Sequence, residues 1–185
     1  MRNNTPEKLR LKIQILATAA FLLIVYTILH EFGHGVIGLI CGGEITEFVI
    51  GPNAHICIRG ANYNNFTAPL GHAFGPFLPF IAFTIFIGFY NSKIKNSFYQ
   101  LFNFLSVVGI SFSLVSWIVI PVLYALGIAP KGDDVTKFMQ SSGVPFLPVS
   151  LVSSILIAAF LFFAFKVKKI HLVYYSVLKK GRSKS

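Results

Sequence analysis

The chain has 185 residues, of which 55% are hydrophobic and only 12% charged, with a formal net charge of +10 and a mean hydropathy of +0.71. A soluble chain carries roughly 25% charged residues, and one soluble core of this size cannot hide so much apolar surface, so the lipid bilayer is the expected solvent. The basic residues sit in tails and one short loop beside apolar runs, without a nucleic-acid-binding motif, so they mark membrane topology and nucleic acid is not an expected partner.

Residues 1–12 form a polar N-tail carrying Arg2, Lys8, Arg10 and Lys12. The apolar run from Ile13 to about Ile40 is too long for a signal-peptide core and is read as a retained first span. Near its end stands Leu29-His30-Glu31-Phe32-Gly33-His34-Gly35, an H-E-x-x-H sequence. Residues four apart share a helix face, so His30 and His34 can reach one metal ion. Glu31 follows the first histidine and can reach a water at that metal without binding the metal itself. Two imidazoles and a carboxylate base are the working parts of a zinc peptidase. A polar helix end near the interface is the plainer alternative. Against it, about 17 residues at ~1.5 Å each carry His30 roughly 26 Å across the bilayer, and an intramembrane carboxylate is costly unless it has a function.

Gly42-Gly43 is a helix-ending signal. Beyond it, Glu44 to Ile50 and Ala54 to Arg59 read as two short strands around the turn Gly51-Pro52-Asn53, giving a hairpin over residues 44–60. In the second strand His55, Cys57 and Arg59 share one face, and Ile56 and Ile58 the other. The two cysteines, Cys41 and Cys57, make no disulfide framework and read as small buried residues.

The second span runs from Pro69 to Tyr90 and opens with Gly71-His72-Ala73-Phe74-Gly75-Pro76. A loop with Lys93 and Lys95 leads to the third span, Leu101 to Gly127. Next comes Ala129-Pro130-Lys131-Gly132-Asp133-Asp134-Val135, where the aspartates suit either a capped short helix over Val135 to Gln140 or a metal site. Phe146 to Phe165 forms the fourth span, and residues 166–185 form a basic C-tail. With four spans the N-tail, the Lys93–Lys95 loop and the C-tail lie on one side, leaving only Arg59, Lys131 and Lys137 on the other. The positive-inside rule then places both termini in the cytoplasm and His34 near the opposite surface.

A hydrolytic zinc site usually has three protein ligands and a water. The chain has six acids and five histidines, so the third ligand can be sought exhaustively. Glu7 and His171 belong to the cytoplasmic side. The position six beyond His34, where an extended motif would place a third histidine, is Ile40. Glu44 and Glu47 would need the hairpin to fold back onto the helix. Asp133 and Asp134 lie on the same side as His34, so Asp134 is the leading ligand and Asp133 a capping or supporting residue, with His55 and His72 in reserve.

The segments HEFGHGVIGLICGG, GHAFGPFLPF and GDDVTKFMQSSGVP resemble the site-2 protease family of intramembrane zinc metallopeptidases. The resemblance extends from about Leu22 to Pro148. It implies zinc held by His30, His34 and Asp134, with Glu31 as general base and a transmembrane or membrane-associated protein as substrate. The chain departs from the fuller family pattern in the approach to Asp134 and in having Val135 where that pattern has glycine. The expected protein is therefore an all-α, four-span membrane metallopeptidase with a short β-hairpin between its first two helices. The alternative is a non-proteolytic scaffold or metal-handling regulator of the same fold, which would have no need of Glu31.

Overall fold

The structure is a computed structural model; it describes residues 5–172, 174 and 175. The ends of the two basic tails, including Arg2 and the cluster Lys179, Lys180, Arg182 and Lys184, lie outside the described residues. The elements follow in the order α1 (Thr5–Ile40), β1 (Glu44–Val49), β2 (His55–Arg59), α2 (Thr67–Gly88), α3 (Ser97–Ala125), α4 (Asp134–Ser142) and α5 (Phe146–Phe162), with a π turn at Phe163–Val167. Four helical stretches are long and apolar enough to cross a membrane: Leu9–Ile40, Thr67–Gly88, Ser97–Ala125 and Phe146–Val167. The expected fold class is the one observed.

Element boundaries shift where local polar chemistry overrides hydropathy. The first helix begins at Thr5, so much of the expected N-tail continues the helix. Helix α2 begins at Thr67 because the Asn64 side chain accepts the amides of Phe66 and Thr67, at 2.9 and 2.8 Å. Likewise Asn96 accepts the Tyr99 amide at 3.0 Å and starts α3 at Ser97, four residues before the apolar run. Gly42 ends α1 with φ at 81°, a conformation that glycine adopts without steric cost.

The hairpin pairs β1 with β2 antiparallel. Its apolar face lies on the last turns of α1, with Ile56 and Ile45 over Gly35 and Ile58 over Gly38. A side chain at Gly38 would collide with three atoms of Ile58, whereas at Gly35 it would meet only the Cδ1 ends of Ile56 and Ile45.

The helices pack chiefly as α1 on α2, α3 on α5, and α4 on α2. One buried cluster joins Leu22, Phe83, Ile87, Val107, Ile110 and Phe160. A smaller one under α4 holds Trp117, Val135, Met139 and Val149. Outward-facing side chains such as Leu16, Phe112, Leu151 and Phe162 are large and apolar, a surface that would suit contact with lipid. Three buried polar side chains find an acceptor one turn back in their own helix. Thr18 donates to the Gln14 carbonyl, Asn103 to Tyr99 and Ser106 to Phe102, at 2.7, 2.7 and 2.6 Å. At the opposite end from the hairpin, Lys168 donates to the Gly88 carbonyl, joining the last turn of α2 to the segment after α5.

Candidate metal centre

The H-E-x-x-H segment is helical, so His30 and His34 stand one turn apart on α1. Their Nε2 atoms are 3.3 Å apart. Asp134, the first residue of α4, brings Oδ2 to 3.0 Å from His30 Nε2 and 3.2 Å from His34 Nε2. Three donor atoms thus form a triangle with edges of 3.0–3.3 Å. A tetrahedral metal with bonds of about 2.0 Å places its ligands roughly 3.3 Å apart. The donors are 17–24% exposed, and together they make a site able to hold a metal ion.

The orientation of His34 is fixed from behind. Its Nδ1–H donates to the Gly71 carbonyl on α2 at 2.7 Å, which leaves the Nε2 lone pair facing His30 and Asp134. Metal-binding imidazoles are commonly held by such an outer hydrogen bond. His30 lacks one: its Nδ1 is buried without a partner, and its ring lies against Tyr26 with centroids 5.8 Å apart. One turn deeper than His30, the Tyr26 hydroxyl meets Ser113 Oγ at 2.5 Å and ties α1 to α3.

The two aspartates divide the roles left open by the sequence. Asp133 caps α4, accepting the amides of Val135 and Thr136 at 2.8 and 3.4 Å. Asp134 is freed to turn toward the histidines. Burial alone would raise its carboxyl pKa, but the His30 and His34 imidazoles beside it outweigh burial and hold it well below the usual carboxylate range. An ionised oxygen facing two imidazole nitrogens is what a cation would meet.

Glu31 is buried, at 9% exposure. It belongs to none of the three ion pairs found among the described residues. It lines a cleft of about 630 Å³ together with His30, His34, Asp134, His72 and Lys137. The cleft therefore brings together all four site residues expected from the sequence. His72 borders the cleft without joining the donor triangle, and His55 stands on the wall formed by β2.

Sequence reasoning missed the part played by α2. A Cβ at Gly75 would lie 2.5 Å from both Cε1 and Nε2 of His34 and 3.1 Å from His30 Nε2, so only glycine lets the helix pass this close. Gly33 on α1 meets the backbone of Phe74 in the same way. The available signal was the Gly71-x-x-x-Gly75 spacing, a small-residue stripe of the kind that brings membrane helices together. Comparison with protein-family models, curated proteins and solved structures finds no match to this chain.

Proposed function

We propose that this protein is a membrane-embedded zinc metallopeptidase, similar to the site-2 proteases, that cleaves transmembrane or membrane-associated proteins. The observation that carries the reading is the convergence of His30, His34 and Asp134 on one point, with the buried Glu31 carboxylate in the same cleft. A zinc ion held by the three donors would supply Lewis acidity, polarising the peptide carbonyl and acidifying the attacking water. Glu31 takes the proton of that water and passes it to the leaving amine. Gly71 keeps His34 in the metal-binding tautomer, and Asp133 fixes the first turn of α4 so that Asp134 points inward.

The charge distribution supports an orientation with cytoplasmic termini and the cleft toward the other surface. The contact of Lys168 with Gly88 supports it further, since it places the segment after α5 beside the Lys93–Lys95 loop. The simplest test is metal removal from protein reconstituted in bilayers with a reporter transmembrane segment. Chelation should abolish cleavage and added Zn²⁺ should restore it. Cleavage that survives complete metal removal would refute the proposal.

A transmembrane substrate hides its carbonyls in helical hydrogen bonds and must be unwound before attack. Strand β2 supports a route: it borders the cleft through Ala54, His55, Ile56 and Ile58, and among the described residues it pairs only with β1. An unwound substrate segment adds to its free edge as a further strand. Deleting Ala54 to Arg59 should abolish cleavage while metal binding at the His30–His34–Asp134 centre persists, because those three donors and the Gly71 carbonyl lie outside the hairpin. Unchanged cleavage would remove strand addition from the mechanism.

A further inference from the structure

The outward face of the hairpin carries a group of side chains that the peptidase reading leaves unused. Glu47, His55 and Cys57 each offer one donor atom, and the three atoms lie within 4.8 Å of one another. A register irregularity creates the group. Ile45 pairs with Ile58, but the next pair is Glu47 with Cys57, so Thr46 is the extra residue of a bulge. Without that bulge Thr46 would oppose Cys57. His55, two residues before Cys57, shares its face.

His55 is held as metal-binding imidazoles are held. Its Nδ1–H donates to the Asn53 carbonyl at 2.8 Å, which leaves the Nε2 lone pair free. That nitrogen is 3.8 Å from Glu47 Oε2. A surface ion pair accounts for Glu47 and His55 but leaves out the thiol beside them. A carboxylate oxygen, an imidazole nitrogen and a thiolate together suit Zn²⁺, Co²⁺ and Cd²⁺ rather than Mg²⁺ or Ca²⁺. Bonds of about 2.0–2.3 Å place tetrahedral donors roughly 3.3–3.8 Å apart, so a small rotation of the Glu47 and Cys57 side chains completes the site.

We propose that Glu47, His55 and Cys57 form a second metal site, selective for thiophilic divalent cations, on the rim of the cleft and separate from the His30–His34–Asp134 centre. An ion there clamps β1 to β2. Because His55 also lines the cleft, the ion stiffens the wall that borders the deeper centre. Three protein donors leave a fourth tetrahedral position for water or a passing ligand.

Only this site contains sulfur, so Co²⁺ distinguishes it. Titrating the detergent-purified full chain with Co²⁺ should produce a thiolate-to-metal charge-transfer band in the near ultraviolet. Cys57→Ser should abolish the band and retain the visible absorption of Co²⁺ at the deeper centre, which also reports a folded chain. Asp134→Ala and Cys41→Ser should each keep the band. His55→Ala should raise the Co²⁺ concentration at half-saturation at least tenfold, since losing a ligand costs more than the roughly 10- to 100-fold typical of an outer partner. A wild type without the band at saturating Co²⁺, a band that survives Cys57→Ser, or an unchanged half-saturation in His55→Ala would overturn the proposal.

Discussion

Replacing Glu31 with glutamine is expected to lower peptide cleavage by about 10²- to 10⁴-fold while metal content stays at the wild-type level. Glutamine keeps the size of the side chain and its hydrogen-bonding reach, and removes only the capacity to take a proton. Glu31 is absent from the donor triangle, so the metal has no reason to leave. Cleavage and metal content should be measured on the same sample. Loss of metal would make Glu31 a ligand, and undiminished cleavage would assign the proton transfer elsewhere. A wild type that binds metal and never cleaves would favour the scaffold or metal-handling reading.

The second large effect is expected from one methyl group. In Gly75→Ala the new carbon would stand 2.5 Å from His34 Nε2. A contact that short cannot persist, so either the imidazole swings away or α2 retreats from α1. Overpacking of this kind costs about 1–3 kcal/mol of stability. The larger consequence is for the metal, whose affinity should fall by at least about 10- to 100-fold, the range for disturbing a ligand's support. Gly71→Ala is the matched control. There the added carbon meets Ile37 and Tyr63 at 3.8 Å, ordinary van der Waals distance, and metal binding should survive. Equal affinity in the two variants would mean that the close approach of α2 does not shape the site.

Much of this was legible in the sequence, for identifiable reasons. The four long helices follow from apolar runs of membrane-crossing length, and the histidine pair from helical spacing. Asp134 could be reached because a chain with six acids leaves few candidates. The hairpin was legible from its Gly51-Pro52-Asn53 turn and the alternation of His55 to Arg59. What stayed hidden depends on contacts between elements distant in the chain. Hydropathy reports membrane thickness rather than helix length, so the caps at Asn64 and Asn96 moved the starts of α2 and α3. A glycine stripe announces close packing without naming the partner, so the support that Gly71 and Gly75 give to His34 emerged only in three dimensions. The bulge at Thr46 has no sequence signature, and without it Glu47 and Cys57 do not read as partners.

The central claim is a metal ion on His30, His34 and Asp134, and the most direct measurement is the zinc content of purified protein. It is best made in a Cys57→Ser background, which silences the rim site. The account predicts about one zinc per chain there. Adding Asp133→Ala should keep that zinc, at a cost of about 1 kcal/mol in the capping of α4, whereas adding Asp134→Ala or His34→Ala should remove most of it. A parent protein that remains zinc-free under metal-replete conditions would contradict the account, leaving the H-E-x-x-H segment as a polar helix end.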